Sequence, residues 1–576
     1  MKKFFGLVLP LLMVLLHFSL SFLSVREQSQ TFDESVNLVS GYYFLKTGKT
    51  YLNPEHPPLI SVISSLPLFL LKLNDPVINV DNPEIELYNP KNSKYRYMIA
   101  NKFIYENRVN HEIILFLGRL PIIILSCILA ILIFVWSKKL GGIYAGLLSL
   151  SLYALDPNFL AHGQLITMDI GLSLFYTLSS LAYIEYISDR KLSKLLLAGL
   201  FFSFSLLTKF PGFLLLIVFF IIATISGYKD SRRLIKNYME IFLILIFSII
   251  ILFIFYRGEP GYYVHSLQYA YNHSKYGDYN FLFGSFSPRG WLYYFIVTFF
   301  VKTPLTTLIL IFYSIYIYFK NRSASTEYRF ILIPCGIFFL ASLFSTVNIG
   351  HRYILPVYPF IFVFSGILTN NKIKHYVSDR IIVLICITGL IYANYRIYPH
   401  YISFFNSIAG GPEKGHKILV DSNIDWGQDL KFLKKFQDEN KIDEFYFAYF
   451  GSVDPAYYGI RYRFIPSSYN RYIEGADSPY KLKLPLPKSR FLAVSVTYLY
   501  ESIAYHWLQS IKPTARAGYS IYIYDITNNI PARLNLVHDY LLVDAKETAR
   551  AELDEILKMY PDNSEALRLK EILQTH

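Results

Sequence analysis

The sequence predicts a polytopic α-helical membrane protein of about eleven spans, followed by a small α/β domain outside the membrane and a short helical tail. Three observations predict it. Of 576 residues, 53% are hydrophobic and 18% aromatic, and the mean hydropathy is +0.33, more apolar than a soluble globular chain. The apolar residues are gathered into runs separated by short polar segments. The positive charges fall in alternate segments instead of evenly along the chain.

The chain opens with MKK and is apolar from about Phe4 to Val25. No small-residue cleavage site ends that run, so it reads as an uncleaved first span with Lys2 and Lys3 in the cytoplasm, not as a signal peptide. Further apolar runs follow at 113–136, 140–155, 169–187, 195–208, 211–227, 238–256, 292–319, 330–345, 353–369 and 379–397. Several approach the ~20 residues that cross hydrocarbon; others are shorter. Alternating them puts Lys138, Lys139, Arg190, Lys191, Lys194, Lys229, Arg232, Arg233, Lys236, Lys320, Arg322, Arg329, Lys372 and Lys374 on the side of the N-terminus. The opposite short loops carry chiefly Lys209 and Arg352. This asymmetry is the positive-inside signal of a plasma (inner) membrane protein. An odd number of spans leaves the chain beyond about residue 400 extracytoplasmic.

The expected layout is a membrane domain over 1–399, with extracytoplasmic loops at about 26–112 and 257–290, then an extracytoplasmic α/β domain over 400–530 and a helical hairpin over 531–576. In the α/β domain KILVDS, EFYFAYFG, RFLAVSVTYL and YSIYIYDI predict strands, being short, β-branched or aromatic, and bounded by turn residues. DLKFLKKFQDEN predicts a helix between the first two. In the tail, ETARAELDEILKMYPDNSEALRLKEIL spaces Ala and Leu as two helices around Pro-Asp-Asn. It resembles one tetratricopeptide-type unit, which needs a neighbour to bury its face.

Composition narrows the function classes. The three cysteines, Cys127, Cys335 and Cys386, all lie in apolar runs and read as small buried hydrophobes, not as a disulfide or metal framework. The net charge of +13 is accounted for by the cytoplasmic loops, and no basic face of a soluble domain points to nucleic acid.

Ionisable side chains at membrane depth are costly and have a partner or a task. By the topology above, Asp33, Glu34, His56, Arg119, His162, Asp169, Lys209, Lys302, His351, Arg352 and Tyr353 gather near the outer interface. Carboxylates there suit a base or a metal ligand, and Lys and Arg suit a phosphate. Each also has a plain structural reading. Asp33-Glu34 is an ordinary helix-start acid pair, and His56 before Pro57-Pro58 an ordinary rigid turn. Arg119 and Lys209 fit interfacial snorkelling, and Asp169 fits a helix cap.

The combination is more specific. Asp33-Glu34 in the first outer loop is followed in order by HPPL, GRLP, AHGQLITMD, LLTKFPG and HRYILPVYPF. Together these resemble the polyprenyl-phosphate-dependent membrane glycosyltransferases of the C-type fold, family 39, the protein O-mannosyltransferase and aminoarabinose-transferase-like group. GWLYYFIVTFFVKTPL and YISFFNSIAGGPEKGHKILVDSNIDWGQDL resemble a prokaryotic branch with an appended outer domain, so the likeness covers about residues 1–435. It implies Asp33, Glu34 and Asp169 as the catalytic acids: Asp33 as general base on the acceptor hydroxyl or amine or as its orienter, Glu34 binding the acceptor or tuning the pKa of Asp33, and Asp169 completing the pocket. It implies Lys209, Arg352 and, less directly, Arg119 facing a lipid phosphate, with His56 shaping the first loop over the sugar. The implied donor is a polyprenyl-phosphate-linked sugar, transferred with inversion; protein, lipid and glycan stay open as acceptors. Some C-type enzymes use a divalent metal bound by acids such as Asp33, Glu34 and Asp169, whereas the O-mannosyltransferase branch is not thought to need one, and no metal ligand is assigned. DSNIDWGQDL is the most specific string, with a structural connection and a sugar contact through Trp426 both open.

Three rival readings make different demands. A transporter or flippase of lipid-linked sugars wants broken helices at mid-membrane and internal repeats, and no repeat is visible. A scaffold leaves the interfacial acids and cations without a task. A transferase using a cytoplasmic nucleotide sugar wants its acids on the opposite face.

Overall fold

The computed structural model describes residues 4–78, 87, 89, 93–321, 328–374, 376–465, 486–487, 489–542 and 544–575. Lys2, Lys3 and Arg322, used above to orient the chain, lie outside them. The chain divides into two compact units, one of Met1–Arg26 with Asp33–Asn423, the other of Glu27–Phe32 with Ile424–His576.

The first unit is helical. Among the described residues seven helices are long and apolar enough to cross a membrane: Gly6–Glu27, His111–Gly141, Met168–Asp189, Phe210–Gly227, Ser231–Phe255, His351–Thr369 and Val377–Ile397. An eighth span results if Tyr294–Lys302 and Leu305–Lys320, bent by 110° at Thr303-Pro304, count as one. The other three of the eleven apolar runs are the shorter helices Ile143–Ala154, Leu192–Leu206 and Arg329–Leu343. On Ser231–Phe255 the side chains of Met239, Phe242, Leu243, Ile249, Phe253 and Ile254 all point outward, more than half exposed. An apolar surface of that extent is stable only against lipid, so the chain is a multi-pass membrane protein.

Helix ends follow from local chemistry. Asn110 caps His111–Gly141 by accepting from the Glu112 N–H (2.8 Å). Asp156 caps the short helix Pro157–His162, its Oδ1 accepting from the N–H groups of Asn158 (2.8 Å) and Phe159 (3.3 Å), with Pro157 at the first position where no donor is needed. ESVNLVSGYYFLKT forms the helix Glu34–Thr47, ended by Gly48 in the left-handed region at φ +76°. This helix packs closely on Leu59–Ser65: a Cβ at Gly41 would overlap the Ser61 carbonyl. Asn37 Nδ2 donates to the Ile166 carbonyl (2.7 Å) and Asn53 Nδ2 to Asn37 Oδ1 (2.8 Å). These contacts fold the first loop back over the start of the helix Met168–Asp189, and bring Asp33 and Glu55-His56 to one place.

The second unit contains a mixed five-stranded sheet. A two-stranded hairpin, β1 (Asn280–Leu282) and β2 (Ser285–Ser287), belongs to the first unit. The sheet itself is made by β3 (Phe445–Ala448), β4 (Tyr462–Phe464), β5 (Phe491–Ser495), β6 (Ala515–Ala517) and β7 (Ile521–Asp525), in the order β4-β3-β5-β7-β6. β3 runs parallel to β4 and β5; β7 runs antiparallel to β5 and β6. Three of the four expected strands and the helix Leu430–Glu439 are present.

KILVDS is not a strand. Its N–H groups are used in turns that follow Gly410-Gly411: Lys417 bonds to Lys414, and Ile418 and Leu419 both bond to Gly415. Leu419 and Val420 are apolar because they are buried, not because they pair in a sheet. The tail forms the expected hairpin, Lys546–Met559 and Ser564–Thr575. It is held to the preceding elements by Glu552, which accepts from Arg490 Nε (2.9 Å) and Arg533 Nε (2.5 Å).

Candidate active site

Five of the side chains that the sequence singles out meet, and the others have partners elsewhere or lie beside them. Asp33, Asp169, Lys209, Arg352 and Tyr353 form one cluster. Lys209 Nζ lies 2.8 Å from Asp169 Oδ1 and 4.3 Å from the centre of the Tyr353 ring. The Arg352 guanidinium reaches Asp169 Oδ2 at 3.7 Å and Asp33 Oδ2 at 3.6 Å, and its Cζ lies 5.0 Å from the Tyr353 ring centre. Two cations therefore flank one aromatic ring and share one buried carboxylate. These residues come from the first loop and the ends of three different helices. Their direct contact requires those ends to lie on one side of the membrane, as the alternating topology predicts.

The three acids differ in access. The Asp33 side chain is 31% exposed, whereas Asp169 is 2% and Glu34 0% exposed. Only Asp33 can be reached by an incoming molecule. Asp169 is enclosed by the cations it orients. Glu34 is held in a two-point ion pair with Arg119, at 2.8 Å to Nε and 2.6 Å to Nη2, and also accepts from the Ile166 N–H (3.1 Å). Arg119 donates as well to the Val25 carbonyl (3.2 Å). This fully buried pair ties the first helix, the Glu34–Thr47 helix and the long second helix together.

Lys302 also stands apart from the cluster. Its ammonium donates to the carbonyls of Ile402 (2.9 Å) and Asn423 (2.6 Å) and packs on Phe405. His351 is buried, its ring against Tyr358 at 5.4 Å, and its N–H donates to Asn423 Oδ1 (2.9 Å). His162 is buried beside Asp169 and Arg352; burial lowers its pKa to about 3, so it is neutral. His56, near Lys209, is lowered to about 4 by burial and by that ammonium.

Three contributors were not marked as site residues by any motif. Tyr97 donates its hydroxyl to Asp33 Oδ1 (3.2 Å). Arg96, 1% exposed, donates to Glu55 Oε1 (3.1 Å) and to the Tyr269 hydroxyl (3.0 Å). Glu55, 33% exposed, faces Asp33. Arg96 and Tyr97 lie on the helix Ser93–Tyr105 within a long loop, where no string sets them apart; Glu55 is visible next to His56-Pro57-Pro58.

Burial holds Asp33 above the ordinary carboxylate pKa; Arg352 and the Tyr97 hydrogen bond oppose the rise, and the charges of Glu55 and Asp169 reinforce it. Burial likewise works to raise Glu55, but Arg96, His273 and His56 outweigh it and leave its pKa lowered. A base of raised pKa beside two cations can remove a proton while the cations hold an anion. Among the described residues no group of three or more His, Cys, Asp or Glu side chains is placed to hold a metal ion. Asp33, Glu34 and Asp169 do not converge, because Glu34 turns to Arg119 and Asp169 to Lys209.

Residues 93–270 match the family model of dolichyl-phosphate-mannose-protein mannosyltransferase. No curated protein matches the sequence. Among solved structures the chain is similar to ArnT from Cupriavidus metallidurans bound to undecaprenyl phosphate, at 13% identity and a TM-score of 0.46, over 89% of this chain and 97% of that one. It is similar also to the Archaeoglobus fulgidus oligosaccharyltransferase in its apo form, at 13% identity and a TM-score of 0.41, over 69% of this chain and 56% of that one. The segment that matches this family model carries Arg119, His162, Asp169 and Lys209.

Proposed function

We propose that this protein moves a sugar from a polyprenyl-phosphate carrier to an acceptor hydroxyl or amine on the extracytoplasmic face of the plasma membrane, by a single inverting displacement. The observation that carries this reading is the reachable Asp33 carboxylate, set against two buried cations that share Asp169. The acceptor's O–H or N–H bond yields its proton to Asp33 as the acceptor atom attacks the anomeric carbon. The bond from that carbon to the phosphate oxygen breaks, and the polyprenyl phosphate leaves with the electron pair. Lys209 and Arg352 stabilise the charge that develops on the phosphate, so no strong general acid is required. Tyr353 and Asp169 hold both cations in place. Glu34 and Arg119 are positioning residues, and Lys302 serves the fold.

Charge placement supports the orientation. The N-terminus and the Lys- and Arg-rich loops are assigned to the cytoplasm, and the cluster and the C-terminal unit to the outside. The 27–32 and 424–576 unit is read as an extracytoplasmic domain whose helical tail completes its core.

The base assignment predicts an acid limb in the pH profile of kcat/KM, since Asp33 works only when deprotonated. Activity is expected to rise as pH rises through a pKa above the usual carboxylate value. Tyr97→Phe removes a hydrogen bond to the charged form, so its limb is expected at higher pH than the wild type's. Glu55→Gln removes a neighbouring negative charge, so its limb is expected at lower pH. Profiles measured on one donor check both signs together. Limbs that stay fixed, or that move the same way in both variants, reject Asp33 as the titrating base.

A further inference from the structure

Glu55 carries a reachable carboxylate oxygen to which the chemistry above gives no task. Its Oε1 accepts from Arg96 Nη2 (3.1 Å), while its Oε2 has no hydrogen-bond partner among the described residues. Arg96 is itself fixed. Its Nη2 also donates to the Tyr269 hydroxyl (3.0 Å), and its Cζ lies 5.4 Å from the centre of that ring. A carboxylate held at one oxygen by a buried cation, and open at the other, offers a fixed hydrogen-bond acceptor.

The same helix sets this oxygen beside the base. Arg96 and Tyr97 are consecutive residues of Ser93–Tyr105; Arg96 holds Glu55, and Tyr97 donates to Asp33 Oδ1 (3.2 Å). Two part-exposed carboxylates thus stand side by side. Their roles differ: Glu55 keeps its charge while the Asp33 pKa is raised, so one stays an acceptor while the other takes a proton. Two more polar atoms here, Arg96 Nε and His56 Nδ1, are enclosed and unpaired among the described residues. Enclosed polar atoms are nearly always paired, so this side of Asp33 suits a polar guest. Glu55 is ion-paired with Arg96 and with neither phosphate cation, since Lys209 and Arg352 turn to Asp169 and Arg352 also to Asp33. In an inverting displacement the leaving phosphate and the attacking atom lie on opposite sides of the anomeric carbon. A group beside the base and away from the phosphate clamp therefore meets the acceptor.

We propose that Glu55 selects the acceptor: its open oxygen accepts a hydrogen bond from a second donor on, or next to, the nucleophilic atom, so that an amine or a vicinal diol is favoured over a lone hydroxyl. The inference rests on Asp33 as base and on Lys209 and Arg352 as phosphate clamp. The bond changes are those given above: the nucleophilic atom yields its proton to Asp33 and bonds to the anomeric carbon, and the phosphate leaves with the electron pair. Glu55 gains and loses no covalent bond. It holds the acceptor atom in line while Asp33 takes the proton. Arg96 and Tyr269 are positioning residues that act through Glu55.

The test uses the full chain in liposomes, a polyprenyl-phosphate sugar that it turns over, and two acceptors that differ by one hydroxyl, 1,2-octanediol and 1-octanol. Rates are taken on the plateau of the pH profile. The readout is the ratio of the two acceptors' kcat/KM, which does not depend on the fraction of folded protein. The wild type is expected to favour the diol by about 10-fold or more, the effect of one hydrogen bond to a charged group. Glu55→Gln is expected to bring the ratio within about 2-fold of 1, because an amide whose oxygen stays on Arg96 turns a donor toward the acceptor. Glu55→Asp keeps the charge but draws it back by one methylene, and its ratio is expected to fall between the two. A wild-type ratio near 1, no transfer to the diol by a protein that turns over the donor, or a preference unchanged in both variants overturns the assignment. If no donor releases polyprenyl phosphate, with either alcohol or with a membrane extract, the functional reading itself fails and the assignment falls with it.

Discussion

Asp33→Asn is expected to lower kcat by about 10²- to 10⁴-fold while leaving donor binding nearly unchanged. The amide is close to isosteric and can still accept from the Tyr97 hydroxyl and from Arg352. What it loses is the ability to take a proton. Asp33 is ion-paired with Arg352, which is also held by Asp169 and lies against the Tyr353 ring, and Lys209 is paired with Asp169, so both cations keep a carboxylate partner in the variant. Single-turnover rates and equilibrium binding of the same donor separate the two effects. A variant that binds donor and reacts at the wild-type rate excludes Asp33 as base, and one that no longer binds donor assigns it to binding.

The second large effect is on stability. Glu34→Ala is expected to destabilise the membrane unit by about 3–5 kcal/mol, because it leaves the Arg119 guanidinium buried with no carboxylate against it. The double variant Glu34→Leu/Arg119→Met removes both charges and is expected to recover most of that loss. Unfolding in denaturant, followed for both single variants and the double, gives the coupling directly. The same series decides the role of Glu34. A residue that contacts the acceptor would lose activity at unchanged stability, and its loss would not be rescued by changing Arg119.

Much of the fold was legible because hydropathy is a strong signal. Each apolar run corresponds to a helix, and three of four expected strands formed where β-branched or aromatic residues alternate with turns. KILVDS misled for a physical reason: three consecutive apolar residues report burial, and burial without pairing looks the same in sequence. The span count is less legible, since Ile143–Ala154, Leu192–Leu206 and Arg329–Leu343 are too short to cross by length alone. At the site, sequence marked the residues but not their pairing. Asp33, Asp169, Lys209 and Arg352 were named as acids and cations of one face, and their contacts group them. Nothing in the chain's order distinguishes Glu34 from Asp33, its neighbour. Only the helical turn that sends Glu34 inward to Arg119, and leaves Asp33 31% exposed, separates a structural acid from a reachable one. Tyr97 and Arg96 carry no motif, and only the fold of the first loop brings them over Asp33.

The most direct test of the central claim is turnover of a panel of polyprenyl-phosphate sugars by the purified protein in liposomes, with a membrane extract as acceptor source. Release of polyprenyl phosphate and the anomeric configuration of the product are measured together. The account predicts stoichiometric release with at least one donor and an inverted product. A retained configuration would contradict the single displacement and make a carboxylate the nucleophile. No release from any donor by correctly inserted protein would contradict the transferase reading itself.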